Sequence, residues 1–409
     1  MKIVFVSNYI NHHQMPFCRE MYSLLGEGNF YFAALFPMEE ERRGMGWQSN
    51  AACPFEVRYY EEPERVHRLI MECDVLLFGG MDHEEFVYER MEKDLTVIRI
   101  MERIYKEGQW KAVSPRGLLA KYKEFTRYRN KHCYLLCAGA YVASDFALIG
   151  AFPDKKYTWG YFPEVRRHDI DVLFAKKGRA VRSAPNTVRI LWSGRFVDFK
   201  HIEVFLSLLE RLAASYLPAH PDCRLHADIV GGGYNEEEVR KRLAALPEKL
   251  VAFHGFLSPE EVRGFMEASD IYVFTSGQGE GWGAVVNEAM NSGCAVLAGV
   301  RAGAVPSLIR QGENGLIYEN HDENDLYEKM IWLIEHPEAV RSFGKNAVRT
   351  MEETWNGQLA AGRLLQFAEC VVKGEPYNAP VGGPMSNDPV LRPFPKVKRL
   401  CDLRLPEEG

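Results

Sequence analysis

Short, nearly continuous apolar runs recur along the chain, separated by longer segments whose apolar positions have helical spacing. Such runs, bounded by glycine or polar residues, are typical of strands that a parallel sheet buries on both faces. They occupy 3–6, 29–36, 74–80, 96–100 and 134–140 in the first half, and 188–192, 225–230, 251–257, 271–274 and 294–297 in the second. Because strands alternate with helical segments, the pattern predicts an α/β protein with doubly wound parallel sheets.

The length of 409 residues exceeds that of one ordinary domain, so two domains are expected. Residues 166–185 are polar and irregular, which favours an interdomain linker. Residues 340–372 predict one long helix. The residues from 374 onward are rich in proline and glycine, and they either pack on the first domain or lack a fixed structure.

Composition narrows the class of protein. The net charge of −6, from 50 basic and 56 acidic residues, argues against a general nucleic-acid binder. Nine single cysteines predict buried, reduced thiols, and His132, Cys133 and Cys137 favour a core position over a zinc site. The start runs straight into a strand without a signal peptide, and no apolar run spans a membrane. We therefore expect a cytoplasmic protein, either free or at the inner face of the membrane.

The stretch 270–299 carries the strongest chemical pattern. An apolar strand is followed by Gly277, Gly279, Gly281 and Gly283, and a helical pattern then begins at position 284. A glycine loop before a helix lets backbone N–H groups approach a phosphate closely. Glu280 lies in the loop and Glu288 lies eight positions later on the helix. A helix-face glutamate with a structural hydrogen bond is an equal alternative for Glu288.

A second pattern follows the strand at 188–192. Gly194 and Arg195 come at its end, and Lys200 stands five positions later. An arginine fork and a lysine point charge beside a glycine at a strand-to-helix turn suit a diphosphate. Taken alone, these two cations are more often ordinary surface residues. The glycines at 231–233 lack the spacing of a dinucleotide fingerprint.

The run E-G-W-G-A-V-V-N-E-A-M-N-S-G resembles the E-x7-E motif of retaining glycosyltransferases of family four, whose fold is GT-B. The resemblance covers 188–337 well and the first half weakly. It implies that Glu280 contacts the transferred sugar and that Glu288 holds the ribose. The G-R-x4-K match implies that Arg195 and Lys200 neutralise the diphosphate leaving group.

The resemblance also implies two Rossmann-like doubly wound domains that face each other across a cleft. Residues 1–175, with a returning segment 357–409, would bind the acceptor, and residues 176–356 would bind the donor. The chain would cross back at about 354–357. The remaining donor-binding positions implied are Gly194, Phe256, Leu257, Gly281, Trp282 and Gly283.

The acceptor side departs from the family pattern. Asn11, His12 and His13 stand where a glycine-rich loop is common. Either the histidines donate hydrogen bonds to phosphate or accept a proton, or these residues merely cap a helix and line the wall of a cleft. Glu102 stands where a His-Asp pair is common, and it either orients the acceptor hydroxyl or pairs with Arg103. His83 follows a neighbouring strand end.

Residues 118–131 combine an apolar helical stripe with basic residues. Such a helix either contacts anionic lipid or packs its stripe into the core.

The sequence thus predicts a retaining, metal-independent glycosyltransferase without a cofactor, which uses a nucleotide-diphosphate sugar. The acceptor would be a saccharide or a lipid-linked molecule. Two segments of the first half resemble transferases of bacterial surface-polysaccharide assembly, namely S-N-Y-I-N-H-H-Q and Y-F-P-E-V. The alternatives are a nucleotide-sugar 2-epimerase and a non-catalytic sugar-nucleotide-binding protein. An NAD-dependent oxidoreductase is the weakest, because the glycine spacing is wrong.

Overall fold

The computed structural model describes residues 1–40, 53–79, 84–180 and 187–391. The chain divides into two compact units. The first contains Met1–Glu164 and the described residues from Thr354 onward, and the second contains Val165–Glu353. The sequence placed the domain boundaries after residues 175 and 356, whereas the two units of the structure change over after Glu164 and Glu353.

The first unit is built on a seven-stranded sheet whose described strand pairs are parallel. Its strands lie in the order β3-β2-β1-β4-β5-β6-β7, so the winding reverses between β1 and β4. Their bounds are β1 Ile3–Ser7, β2 Phe30–Ala34, β3 Glu56–Arg58, β4 Val75–Gly79, β5 Val97–Met101, β6 Cys133–Ala138 and β7 Lys156–Trp159. The five predicted strands of this half are confirmed, and β3 and β7 were not predicted.

Helices connect these strands and cover the sheet. They are α1 Met15–Leu25, α2 Pro63–Glu72, α3 Glu85–Glu92, α4 Pro115–Glu124 and α5 Val142–Leu148, with 3-10 helices at Gln109–Val113 and Thr126–Tyr128. The last helix of the described residues, Gly357–Lys373, packs on α1 in the same unit. Gly357 makes this close approach feasible, because a β-carbon there would lie 2.9 Å from the backbone nitrogen of Phe17.

The segment after the last helix packs on the edge strand β7 of the first unit. Thr158 exchanges backbone hydrogen bonds with this segment, donating to the Ser386 carbonyl at 2.8 Å and accepting from the Met385 N–H at 2.8 Å. The Asp388 N–H donates to the Lys156 carbonyl. Of the two alternatives left open for the tail, packing on the first unit therefore holds as far as residue 391.

The second unit is built on a six-stranded sheet in the order β10-β9-β8-β11-β12-β13. All of its pairs among the described residues are parallel. The bounds are β8 Thr187–Phe196, β9 Arg224–Gly233, β10 Val251–Phe253, β11 Ile271–Phe274, β12 Ala295–Gly299 and β13 Gly315–Tyr318. The winding reverses between β8 and β11, which is the strand order of a dinucleotide-binding sheet.

The helices of this unit follow the strands in alternation. They are α6 Ile170–Ala180, α7 Ile202–Arg211, α8 Glu236–Ala244, α9 Pro259–Ala268, α10 Ala284–Asn291, α11 Val305–Leu308, α12 Glu323–Glu335 and α13 Pro337–Glu353. A 3-10 helix at Asp198–Lys200 precedes α7, and a π-helical turn at Leu212–Tyr216 and a helical turn at Leu217–Ala219 follow it. Ser258 caps α9 in a capping box with Glu261.

Two sequence-based expectations about helices are wrong. Part of the predicted linker 166–185 is α6, because Leu173 and Phe174 pack against Val348 in a small apolar cluster. The predicted single helix at 340–372 is two helices, α13 and α14 (Gly357–Lys373). The break occurs because Asn356 has extended backbone and its side-chain oxygen accepts from the Leu359 N–H at 2.8 Å, which starts a new helix.

Side chains on both faces of each sheet are buried, and those of one face form the large apolar cluster of each unit. The cysteines among the described residues are free, and Cys133 and Cys137 are buried on β6, where burial raises their pKa values. The predicted core position of Cys133 and Cys137 is therefore confirmed, whereas Cys53, Cys223 and Cys370 are only half-buried. Within the described ranges, every helix is too short or too polar to cross a bilayer.

Candidate functional site

The carboxyl edge of the second sheet gathers most of the residues that the sequence singled out. The winding reverses between β8 and β11, and open α/β sheets bind ligands outside the strand ends at this point. Arg195 lies at the end of β8, and the glycine loop 275–283 follows β11. Residues 80 positions apart in sequence therefore meet at one edge.

Glycines let β8 and β9 stay paired to their last residues. Gly194 pairs with Gly231, and a β-carbon at Gly231 would lie 1.8 Å from the Gly194 carbonyl oxygen. Gly231 also has φ +132, which disfavours any side chain. The expected strand-to-helix turn at Gly194 and Arg195 is therefore wrong, because β8 continues through both residues to Phe196.

Arg195 is exposed at this edge and lies opposite Gly232 of β9. Its guanidinium forms no ion pair with any residue in the described part of the chain. Gly232 in turn lies against Phe256, since a β-carbon on Gly232 would be 2.8 Å from the phenylalanine ring. Phe256 is 56% exposed and Leu257 is half-buried. An exposed cation and an exposed aromatic ring thus lie beside Gly232, which is itself buried.

Lys200 and Glu280 form an ion pair, with 16% and 15% of their side chains exposed. Lys200 ends the 3-10 helix Asp198–Lys200, and its carbonyl accepts from the Thr275 hydroxyl at 2.6 Å. The Thr275 hydroxyl itself accepts from the indole N–H of Trp192 at 2.9 Å. This chain of bonds fixes the lysine beside the glycine loop. The sequence predicted both residues at the site but gave no sign of their pairing.

The loop that carries Glu280 closes tightly before α10. Gly283 has φ +102, and a β-carbon there would lie 2.8 Å from the Phe274 ring. Gly281 is buried beside it. Trp282 is 1% exposed, its indole N–H donates to Asn287 at 2.9 Å, and its carbonyl accepts from the Ala304 N–H. The Trp282 side chain therefore supports the loop from inside, and its ring is not available to a ligand.

Glu288 lies one turn into α10, partly exposed but in surroundings that exclude most water. Burial raises its pKa, while the guanidinium groups of Arg263 and Arg166 partly oppose the rise. Arg263 is itself buried and donates to Asn291 at 2.5 Å. Among the described residues, no side chain donates a hydrogen bond to the Glu288 carboxylate. A buried carboxylate without such a donor favours ligand hydroxyls as partners.

In the first unit, Asn11, His12 and His13 follow β1 at its carboxyl end. The Asn11 side-chain oxygen accepts from the His13 N–H at 3.0 Å, and its carbonyl accepts from the Met15 N–H at 2.9 Å. Asn11 thus shapes the turn into α1. Burial lowers the pKa of His12 to about 4, so this imidazole is neutral at neutral pH. His13 stacks on Tyr161 with ring centroids 6.4 Å apart.

Glu102 connects to the same group of side chains. Its carboxylate accepts from the Tyr161 hydroxyl at 2.7 Å and pairs with Lys106 at 2.6 Å. The alternative that Glu102 pairs with Arg103 is wrong, because the Arg103 guanidinium pairs with buried Asp145 at 3.3 Å. Tyr161 is a residue that the sequence did not assign to the site. Its location 59 positions after Glu102 gave no local signal, and His83 lies outside the described residues.

Residues 176–350 match the family described as glycosyl transferases group 1. An uncharacterized glycosyltransferase of Methanocaldococcus jannaschii, MJ1069, is 25% identical over 187 residues, 46% of each chain. The GDP-mannose-dependent monoacylated alpha-(1-6)-phosphatidylinositol monomannoside mannosyltransferase of Corynebacterium glutamicum is 31% identical over 159 residues, 37% of this chain and 40% of that protein. The chain thus spans less than half the length of these curated relatives.

The crystal structure of Anabaena Alr3699/HepE in complex with UDP matches with a TM-score of 0.66 at 14% identity, covering 90% of this chain and 100% of that one. The two parallel-sheet, Rossmann-like units are those of the GT-B fold. The match to the glycosyl transferases group 1 family lies within the second unit, since it covers residues 176–350. These residues contain both the E-x7-E and the G-R-x4-K patterns, so the match supports, for this part of the chain, the resemblance to glycosyltransferases that the two patterns indicated.

Proposed function

We propose that this protein is a glycosyltransferase that moves a sugar from a nucleotide-diphosphate sugar to a saccharide or lipid-linked acceptor. We propose further that configuration is retained, that no metal is required, and that the product contributes to cell-surface polysaccharide. The observation that carries the proposal is the convergence of Arg195, Lys200, Glu280 and Glu288 on the carboxyl edge of the second sheet. This group of four is called the donor cluster below.

The leaving group of such a transfer is a nucleoside diphosphate, on which negative charge develops as the glycosidic bond breaks. Arg195 supplies a fork of N–H donors from a position without an ion-pair partner in the described chain, and Lys200 supplies a second cation. Fixed charges aimed at developing charge lower a barrier by several kcal/mol. These two cations take the role that a divalent metal plays in other phosphate sites.

The Lys200–Glu280 ion pair has a consequence for donor binding. When the lysine turns to the diphosphate, the Glu280 carboxylate loses its partner within the site. A sugar hydroxyl that donates to Glu280 then replaces the lysine. Diphosphate and sugar are therefore expected to bind more tightly together than either does alone, because each satisfies one half of the broken pair.

The nucleoside fits the other side of the donor cluster. Phe256 is exposed beside the backbone of Gly232, and a base can stack on this ring while using neighbouring backbone groups. Glu288 accepts hydrogen bonds from the two ribose hydroxyls. Those bonds favour its charged form and offset the burial that raises its pKa.

In the first unit, we assign the acceptor side to His12, His13, Tyr161 and Glu102. Burial keeps His12 neutral at neutral pH, so its imidazole can accept a hydrogen bond from an acceptor hydroxyl. The Tyr161 hydroxyl, which donates to Glu102 at 2.7 Å, orients that carboxylate. An acceptor hydroxyl that binds among these groups has a neutral imidazole and an oriented carboxylate within one unit.

The donor to test first follows from the relatives. The Corynebacterium glutamicum relative is named for its use of GDP-mannose, and the Anabaena structure contains UDP. UDP-sugars and GDP-sugars are therefore the first candidates, with ADP- and dTDP-sugars as comparisons.

The test is nucleotide release from each donor, with and without EDTA and with and without a mixture of saccharide and lipid-linked acceptors. Arg195→Ala and Glu288→Gln should abolish release from the one productive donor. Arg224→Ala and Glu237→Gln, which change exposed residues of the same unit, should leave it unchanged. Release that EDTA suppresses would contradict metal independence. A new sugar isomer formed without an acceptor would indicate an epimerase instead, and the anomeric configuration of the product tests retention.

A further inference from the structure

Helix α4 of the first unit, Pro115–Glu124, buries none of its residues. A helix in a globular unit normally covers its apolar stripe against a sheet or another helix. Here Leu118, Leu119 and Tyr122, which share one face, are 39%, 56% and 52% exposed. The alternative that this stripe packs into the core is therefore wrong for these residues, and Phe125, which is buried, lies beyond the end of the helix.

The 3-10 helix just before α4 extends the same exposed surface. Trp110 is 68% exposed and Val113 is 79% exposed. The two helices touch, since a β-carbon at Gly117 would lie 3.8 Å from the Lys111 carbonyl oxygen. We call the five exposed apolar residues the apolar patch: Trp110, Val113, Leu118, Leu119 and Tyr122. Five large apolar side chains left exposed within 13 positions mark an interaction surface rather than scattered surface residues.

The charge around the apolar patch indicates what binds there. Residues 106–131 contain eight basic and two acidic residues, whereas the whole chain has a net charge of −6. The two acids, Glu107 and Glu124, are paired with Lys111 and Lys121. Arg116 and Lys123 are exposed, and neither forms an ion pair within the described chain. A locally cationic surface on an anionic protein favours an anionic partner of large extent.

We propose that the apolar patch, with Arg116 and Lys123 beside it, docks on the surface of an anionic lipid bilayer. A tryptophan, a tyrosine and aliphatic side chains on a short amphipathic segment flanked by cations suit the boundary between headgroups and acyl chains. An anionic lipid surface complements this cationic rim, and each exposed cation near such a surface adds to binding, so the bilayer is the occupant that the charge favours. This docking does not depend on the transfer reaction. It would place the first unit, to which we assign the acceptor side, at a membrane.

The test is co-sedimentation of the full chain with vesicles of phosphatidylcholine alone and of phosphatidylcholine mixed with phosphatidylglycerol. Binding is expected only with the anionic vesicles and should weaken between about 0.05 M and about 0.5 M salt, as screening predicts. Each cation near such a surface contributes about fivefold to partitioning. Arg116→Glu with Lys123→Glu should therefore reduce partitioning by at least about 25-fold.

Matched variants separate this surface from general effects of charge and hydrophobicity. Leu119→Ser should reduce partitioning about tenfold, because insertion of this side chain is lost. Leu24→Ser changes a leucine of α1 that is 51% exposed and should have no effect. Arg19→Glu with Arg68→Glu is the corresponding control for charge, since both arginines are exposed in the same unit.

Three results would overturn the proposal. The first is failure of the wild-type chain to sediment with anionic vesicles at low salt. The second is equal loss of binding in Leu119→Ser and Leu24→Ser. The third is a dimer in solution that Leu119→Ser dissociates, without vesicle binding, which would assign the apolar patch to a second copy. Circular dichroism of each variant confirms that a loss of binding is not a loss of folding.

Discussion

Replacement of Gly231 by alanine should destabilise the second unit by about 3–4 kcal/mol. The added β-carbon would lie 1.8 Å from the Gly194 carbonyl oxygen, whereas real contacts of this kind rarely fall below 3.0 Å. The two strands must therefore separate by more than 1 Å at this point, or the backbone of Gly231 must rotate. Separation costs about two ladder hydrogen bonds at about 1 kcal/mol each. The positive φ of +132 adds about 1–2 kcal/mol for any residue with a side chain.

For a unit of this size, the loss corresponds to a fall of roughly 6–16 °C in the temperature of its unfolding transition, which scanning calorimetry measures. Gly264→Ala is the matched control in the same unit. Gly264 lies inside helix α9 and a β-carbon there meets nothing within 4 Å. That change should stabilise the unit by about 0.5–1 kcal/mol through helix propensity. If Gly231→Ala unfolds at the wild-type temperature, the close packing of the β8 and β9 ends does not require glycine at position 231.

Three further predictions follow from the charged groups. Arg195→Ala should weaken binding of the cognate nucleoside diphosphate by about 10- to 150-fold in calorimetry, while folding stability changes by less than about 0.5 kcal/mol because the side chain is exposed. Burial raises the pKa of Glu288 above its ordinary 4.5. The free energy of unfolding should therefore fall as pH rises through the pKa of the folded state. Glu288→Gln should raise the melting temperature at neutral pH although it abolishes donor binding. Burial likewise raises the pKa of Asp388 to about 7, against hydrogen bonds with Cys137 and Thr158. Stability should therefore decline between about pH 4 and pH 7 and stay low above it, and Asp388→Asn should reduce this decline in melts across pH.

The sequence predicted the strands of both sheets well because parallel strands buried on both faces are nearly continuous apolar runs. The prediction of helices from apolar spacing failed where a helix has few apolar positions or where its end depends on a single cap. Helix α6 follows a polar stretch and is held by Leu173 and Phe174 packing on Val348. The helix break at Asn356 was missed because Trp355 keeps the helical spacing of apolar residues while the cap depends on one side-chain hydrogen bond.

At the candidate site, motif spacing located Arg195, Lys200, Glu280 and Glu288 at one sheet edge. The spacing contained no information on the Lys200–Glu280 ion pair or on the burial of Trp282, because both depend on packing between distant segments. The apolar stripe of α4 shows the same limit. Periodicity reveals a stripe, but only the structure shows whether another element covers it.

The carboxyl edge of the second sheet is proposed to bind a nucleotide-diphosphate sugar. The decisive experiment is calorimetric titration of the wild-type chain with UDP, GDP, ADP and dTDP, and then with their sugars. One nucleotide should bind in the presence of EDTA, and its sugar conjugate should bind more tightly. Binding should be lost in Arg195→Ala and kept in Arg224→Ala. A folded protein that binds none of these compounds, or that binds one equally well in both variants, would contradict the assignment of this edge as the donor site.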